Sequence, residues 1–367
     1  MALTLNAGDV LANLALSQLL IRKGQGREAV TVLERLLTRS DLTPTNRAVA
    51  FSRLGAALEE LGDYGRAFQA FRESNEVLLD SSGEATKTGL YSLKSANRID
   101  RHRKALLSLP RTRITEEEPV FLVGFPRSGT TLLDQILSSH PRIVVIEEQD
   151  NLKDFLTDFA ASDEALERFT AAGSAELASC RERYRALVSR SAPSAGTERI
   201  LVDKYPLNTI FMALIARLFP GACFIFVVRD PRDVVLSCFK HSFALNAAMN
   251  NFLTLESTVR YYTAVMGIGI AALPLLGGRA YALRYENLVE GLERETRKLC
   301  EFLQLDWNPA MLRFQDAARR RHLNTPSYHQ VVRPLYKSAR GRWRGYEAYL
   351  QPYLAQLQPF IERFGYH

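Results

Sequence analysis

The sequence predicts an α/β protein in which a parallel sheet is flanked by helices and preceded by an all-α domain of helical repeats. Two apolar runs, Pro119–Gly124 and Cys223–Val228, each lead into a turn-rich loop and then a helix-forming pattern. Strand, loop and helix in that order build a parallel sheet. Near the start, Leu16, Leu20, Gly24 and Ala29 recur at an offset of 38 residues as Leu54, Leu58, Gly62 and Ala67. Self-similarity at such a period marks stacked helical units. The 367 residues, 47% of them apolar, leave room for two domains with proper cores.

In the amino-terminal part the second copy is the clearer. Phe51, Leu54, Gly55, Leu58, Ala67 and Phe71 follow the spacing of the tetratricopeptide repeat, which they resemble: small residues let two helices pack closely and large ones fill between them. The turn-rich Ser40-Asp41-Leu42-Thr43-Pro44-Thr45 absorbs four residues beyond the usual period. Two repeats leave an apolar face open, so a third helical stretch, roughly Thr86–Leu109, is expected to cap them. The domains read as residues 1–85 for the repeats, 86–116 for the capping helix and linker, and 117–367 for the sheet domain. The repeats carry nothing chemical. They are expected to recruit a protein partner or to brace the sheet domain.

Charge and composition exclude several classes. The net charge is +7, but the Lys and Arg residues are scattered and no basic run is interleaved with aromatics, which argues against nucleic acid and for a smaller polyanion or an acidic peptide. No basic leader precedes an apolar core at the amino terminus, and no stretch reads as a membrane span. Cys180, Cys223, Cys238 and Cys300 show neither CxxC pairing nor metal-ligand spacing; they read as reduced thiols in a cytoplasm, and no metal is expected. Oligomerisation is left open.

The chemistry begins at Gly124-Phe125-Pro126-Arg127-Ser128-Gly129-Thr130-Thr131. Gly124, Gly129 and Thr131 are spaced as in a Walker phosphate loop, with Thr130 where the lysine belongs. Such a loop still aims backbone N–H groups and the positive end of a helix at an anion. Without the lysine that grips β and γ phosphates, a ligand with fewer 5′ phosphates fits better, and Arg127 can offer a two-pronged contact to an oxyanion. Downstream, Ile143-Val144-Val145-Ile146 makes a second strand with Glu147 and Glu148 at its carboxyl end, where open α/β sheets bind ligands. Alternation along an extended segment sends the two side chains to opposite faces, so only one is expected in the crevice. Asp203-Lys204-Tyr205-Pro206-Leu207-Asn208 ends a third strand, and Arg229 ends a fourth.

Phe-Pro-Arg-Ser-Gly-Thr-Thr resembles the 5′-phosphosulfate loop of the sulfotransferases that use 3′-phosphoadenosine 5′-phosphosulfate (PAPS), and Cys223–Ser237 resembles their 3′-phosphate motif. The resemblance covers about Pro119–Tyr366 and is closest to tyrosylprotein sulfotransferases. It implies the sulfotransferase fold on a P-loop-type sheet. It implies that Arg127, Ser128, Gly129, Thr130 and Thr131 line the phosphosulfate, that Arg229 and Ser237 hold the 3′-phosphate, and that Tyr285, in Tyr-Glu-Asn-Leu, approaches the nucleotide or serves as core. Glu148 matches the general base and Lys204 the lysine near the sulfuryl group, whereas a second family lysine falls at Ile210 and a further arginine at His241. Ser327 and Arg342 match residues at the bridging oxygen or sulfuryl group and over the 3′-phosphate, from Ser327-Tyr328-His329-Gln330-Val331-Val332-Arg333-Pro334 and Arg342-Trp343. Arg232 reads as a surface or loop ion pair.

The function implied is transfer of the sulfuryl group of PAPS to an acceptor hydroxyl, a peptide tyrosine being one candidate, with PAP and a sulfate ester as products. Catalysis would rest on Glu148, Lys204, Arg127 and Ser327. The alternatives are a small-molecule kinase on the same loop and a helical-repeat adaptor whose sheet domain has lost activity. The setting implied is a bacterial cytoplasm.

Overall fold

The computed structural model describes residues 8–82, 85–108, 118–149, 151–191, 199–318 and 340–366. Helices α1 (Val10–Arg22), α2 (Gly26–Leu37), α3 (Pro44–Glu60), α4 (Tyr64–Ser82) and α5 (Ala85–Ser108) come first. Then follow β1 (Val120–Gly124), α6 (Thr130–Ser138), β2 (Ile143–Glu147), α7 (Lys153–Phe159), α8 (Asp163–Ala171), α9 (Ser174–Ser191) and β3 (Ile200–Lys204). The rest comprises α10 (Met212–Leu218), β4 (Cys223–Val228), α11 (Pro231–Lys240), α12 (Leu255–Leu276), β5 (Ala280–Arg284), α13 (Tyr285–Glu290) and α14 (Leu292–Phe302), with short turns of helix beyond. The chain divides into two compact units. One holds Met1–Leu93, Pro231–Tyr261 and Gly341–Phe360; the other holds Lys94–Asp230, Tyr262–Arg340 and Ile361–His367.

In the first unit α1 to α4 pack each on the next. Their ends are written in the sequence. Asp9 accepts a hydrogen bond from the Ala12 amide, and Thr43 from that of Asn46 with Pro44 opening the helix, so two orphan amide groups are satisfied. Gly24 and Gly62 have φ of +73° and +77°, a left-handed turn that ends α1 and α3 and explains why a glycine recurs at the same place in both copies. At Gly55 a Cβ would sit 2.7 Å from the Phe71 ring, so the missing side chain is what lets α3 and α4 approach. The same unit contains α11 and the segment 341–360, which no repeat pattern in the sequence announced.

The second unit is built on a five-stranded parallel sheet in the order β2-β3-β1-β4-β5. β1 and β4 read as continuous apolar runs because helices cover both faces. On one face Leu133, Ile136 and Leu137 of α6 pack with Leu122, Val202, Ile225, Val227 and Leu283 of the strands and Leu299 of α14. On the other, Phe121, Phe219, Phe224 and Tyr184 form an aromatic cluster with Phe121 5.7 Å from Phe224. The strand order reverses beside β1: β2 and β3 lie on one side of it and β4 and β5 on the other. The crevice of an open α/β sheet opens at such a switch point, and the loop after β1 starts there.

One helix departs from expectation. Leu255–Arg279 is long and apolar enough to cross a membrane by length and composition, which the sequence reading had not credited, and half of it is buried within the protein. Its Tyr262 meets Phe125 edge-on at 5.0 Å, so part of its apolarity serves the interior of the second unit.

Candidate active site

The site of the second unit begins where β1 stops. Register pairs Gly124 with Val227, Leu122 with Lys204 and Glu147 with Lys204, so the carboxyl ends of β1, β2, β3 and β4 share one edge of the sheet. The loop turns back at once, the Ser128 amide donating to the Phe125 carbonyl at 3.1 Å and Arg127 adopting φ +68°. Gly129 opens α6 at φ +105°, and a Cβ there would lie 2.4 Å from Cδ2 of Tyr285. Only glycine fits both conditions. The first α6 bond runs from the Leu133 amide to the Gly129 carbonyl, which leaves the amides of Thr130, Thr131 and Leu132 at the open end without partners inside the helix. Those amides and the helix dipole favour an anion.

Tyr285 and Arg229 close the other side of the loop. Arg229 donates from Nη1 to the Arg127 carbonyl at 3.1 Å, and its guanidinium lies 4.9 Å from the Tyr285 ring centre. Tyr285 is therefore a wall of the loop as well as a neighbour of the core. The following residue, Glu286, is buried and accepts from the Asp230 amide at 3.2 Å and from the Tyr366 hydroxyl. The Tyr-Glu pair thus fixes two things: its tyrosine limits Gly129, and its glutamate ties the backbone just after Arg229. Sequence reading weighed the tyrosine and missed the glutamate.

Beneath the first turn of α6 sits Lys204, fully buried. Its Nζ is 2.9 Å from Glu148 Oε1, 3.3 Å from Glu147 Oε1 and 3.8 Å from Asp134 Oδ2, and it donates to Thr131 Oγ1 at 3.3 Å. Burial alone pushes the ammonium toward neutrality, but Asp134, then Glu148 and Glu147, outweigh it and hold its pKa above the ordinary lysine value. Lys204 is therefore charged at neutral pH. The expectation that Glu147 and Glu148 face opposite ways is corrected here. Glu148 has φ +46°, outside the strand conformation on which alternation depends, and both carboxylates reach the lysine. They differ in exposure: the Glu148 side chain is 39% accessible, that of Glu147 20% and that of Asp134 2%. A substrate group arriving from solvent meets Glu148 first.

Asp134 was also missed. Its signal is a carboxylate in Leu132-Leu133-Asp134-Gln135-Ile136-Leu137, where an apolar helix buries an acid that needs a partner. Asp203, next to Lys204, points away and accepts from the Tyr184 hydroxyl at 3.0 Å and from Asn151 at 3.4 Å. Ile210, where the resemblance implies a second lysine, is buried at the end of the turn Pro206–Thr209. Thr209 donates to the Gly124 carbonyl at 2.7 Å and anchors the loop's first residue.

The remaining sequence-derived residues belong to the other unit or fall outside the described residues. Ser237 is on α11 and Arg342 opens a short turn, Arg342–Tyr346; both belong to the first unit. Ser327 lies outside the described residues. Arg232, expected in a surface or loop ion pair, is buried and stacks 4.0 Å from the Trp343 ring centre.

A parallel sheet whose first strand feeds a lysine-less phosphate loop, with a buried lysine beneath it, defines an α/β protein built to bind an anionic group. Residues 119–309 match the family model described as "Sulfotransferase family", more than half of the chain, and the chain belongs to that family. Among curated relatives, protein-tyrosine sulfotransferase 1 of Homo sapiens is 27% identical over 308 residues, covering 80% of this chain and 78% of the relative. Protein-tyrosine sulfotransferase 2 of Gallus gallus is 24% identical, covering 69% and 71%. An uncharacterized protein of Aquifex aeolicus (strain VF5) is 28% identical over 90% of this chain, which spans only 44% of that relative's length. Of solved structures, the sulfotransferase domain from the Synechococcus PCC 7002 olefin synthase is 22% identical with a TM-score of 0.46, covering 65% of this chain and 91% of that one.

Proposed function

We propose that the protein transfers the sulfuryl group of PAPS to the hydroxyl of an acceptor, releasing PAP and a sulfate ester. The observation that carries this reading is the buried, charged Lys204 under the first turn of α6, with the half-open Glu148 beside it. A loop without the Walker lysine has its cation supplied from β3 instead, close to where the transferring group of a 5′-phosphosulfate would lie.

In the proposed reaction, Arg127, Ser128, Gly129, Thr130 and Thr131 bind the phosphosulfate through loop amides and side chains. Arg229 takes the 3′-phosphate, and Tyr285 borders the nucleotide. Ser237 and Arg342 are assigned to the same phosphate by their motifs. Glu148 accepts the acceptor's proton as its oxygen bonds to sulfur, while the bond from sulfur to the 5′-phosphate oxygen breaks and its electron pair leaves with PAP. Lys204, Arg127 and, by its motif, Ser327 stabilise charge on the sulfuryl and leaving oxygens. A positioned base is typically worth about 10² to 10⁴ in rate and an oxyanion donor a similar amount, so Glu148 and Lys204 carry comparable shares.

The names of the animal relatives favour a peptide tyrosine as acceptor. Ile210, apolar and buried where the resemblance implies a second lysine, is the departure that a different acceptor hydroxyl would explain. The tetratricopeptide character of α1 to α4, with domain limits at residues 1–85, 86–116 and 117–367, belongs to the same proposal, as does a cytoplasmic setting. The deciding experiment is transfer of labelled sulfate from PAPS to tyrosine peptides, sugars and small alcohols, alongside thermal shifts with PAP and with ATP-Mg²⁺. Label in any acceptor and stabilisation by PAP are the expected results; stabilisation by ATP-Mg²⁺ alone would replace the sulfotransferase reading with a kinase.

A further inference from the structure

Within the first unit, one face of α4 is committed to α11. Tyr64, Phe68, Phe71 and Asn75 are spaced i, i+4, i+7, i+11 and so lie along one side of the helix. Asn75, itself buried, donates from Nδ2 to the Phe239 carbonyl at 2.9 Å, in the last turn of α11 where the helix has no partner of its own for that oxygen. Phe68 stacks on Phe239 at 5.2 Å and on Tyr349 at 3.8 Å. Lys240, the final residue of α11, pairs with Glu59 of α3 at 2.5 Å and lies over the rings of Tyr346 and Phe71 at 4.8 and 5.6 Å.

The other end of α11 grips the segment that carries Arg342. Asp233, in the first turn, accepts from the Gly341 amide at 2.8 Å and from the Trp343 amide at 3.0 Å, the two residues that flank Arg342. Arg232 stacks on Trp343. Ser237 is one turn beyond Asp233 on the same helix, so α11 is a single rod bearing Ser237, fixing Arg342 at one end and held by α3 and α4 at the other.

We propose that Glu59 and Asn75 of the amino-terminal helices are positioning residues for nucleotide binding, setting α11, and through it Ser237 and Arg342, for the 3′-phosphate. The inference rests on the PAPS reading above and deepens it: the repeats are a structural part of the 3′-phosphate contact rather than an appendage. Glu59 also supplies the negative charge that lets Lys240 stay buried near Arg342, whose like charge opposes it. Neither residue touches the nucleotide in this proposal. Each acts through α11.

The test is calorimetric titration of the full chain and of Glu59→Gln, Glu59→Asp and Asn75→Ala with two ligands, PAP and adenosine 5′-phosphosulfate, which lacks the 3′-phosphate. The Kd for PAP should rise about 5- to 20-fold in Glu59→Gln and Asn75→Ala, with less than about a 2-fold change for adenosine 5′-phosphosulfate, and Glu59→Asp should recover part of the loss. In turnover assays the KM for PAPS should rise more than kcat falls. Unchanged PAP affinity in both variants, even with a lowered melting temperature, overturns the proposal, as do equal losses for the two ligands, which mean general loosening. If Glu59→Gln fails to fold, Asn75→Ala and the milder Phe68→Leu decide it by the same criteria. A wild-type chain that binds neither nucleotide fails the PAPS reading itself, and the inference with it; that outcome is distinct from wild-type binding with insensitive variants.

Discussion

Lys204 Nζ stands 2.9 Å from Glu148 Oε1, and the left-handed backbone of Glu148 is what brings the carboxylate there. Replacement Glu148→Gln keeps the shape and cannot accept a proton, so kcat should fall by about 10² or more with PAP affinity retained. Glu147→Gln leaves Lys204 paired with Glu148 and Asp134 and should cost far less. Turnover of both variants at saturating PAPS checks this. A larger loss in Glu147→Gln would assign the base to the less exposed carboxylate.

Arg229 is held by the Arg127 carbonyl and by Tyr285, so its guanidinium is already placed before any ligand arrives. Arg229→Ala should weaken PAP binding by about 1.5 to 3 kcal/mol, the usual worth of a charge-assisted hydrogen bond, while adenosine 5′-phosphosulfate binds as before. Equal losses for the two ligands would make Arg229 a purely structural support of the loop.

Gly129 combines a positive φ with contact to Tyr285. Gly129→Ala should destabilise the protein by about 1 to 3 kcal/mol, from backbone strain and displacement of the ring, and should weaken PAP binding at the same time. Urea midpoints and PAP titration measure both. A midpoint within error of wild type would show that the loop can open without penalty.

The ammonium of Lys240 is held below the ordinary lysine value by burial, against the pull of Glu59. Its folded pKa lies under its unfolded one, so the native state binds fewer protons between the two and stability rises with pH across that interval, up to 10.5. Relative to a Glu59→Gln/Lys240→Met double variant, the wild type should gain stability as pH is raised through the alkaline range toward 10.5. Denaturant midpoints at several pH values test the sign, and a difference that shrinks with pH would contradict it.

The parts of this protein legible in the sequence are those where one local rule suffices. Strand β1, the loop and α6 follow from an apolar run meeting glycines at fixed spacing, and the helix ends at Gly24 and Gly62 follow from the recurrence of a single residue type. What escaped depends on partners far along the chain. Glu148 was read with a strand's alternation because nothing local signals its left-handed φ. Asp134, Glu286 and Asp233 were passed over because a carboxylate's meaning lies in what it meets: Lys204 for the first, the Asp230 amide for the second, the amides around Arg342 for the third. Arg232 looked like a surface charge until Trp343 covered it. The pairing of α11 with α4 had no periodic signature, since each helix looks complete in its own segment.

The aromatic side of α4 also sets a timetable for synthesis. Tyr64, Phe68 and Phe71 leave the ribosome well before Tyr346 and Tyr349, which lie against Tyr64 and Phe68. With roughly 280 residues between Phe68 and Tyr346 and translation at about 5 to 20 residues per second, Tyr64 and one face of Phe68 wait on the order of 15 to 60 s for those partners, after Gly55 and Phe239 have been made for Phe71 and Phe68. During that interval the nascent chain offers Tyr64 and one face of Phe68 to chaperones or to other nascent chains, and a message truncated before codon 343 would release a product that lacks the partners of those two rings.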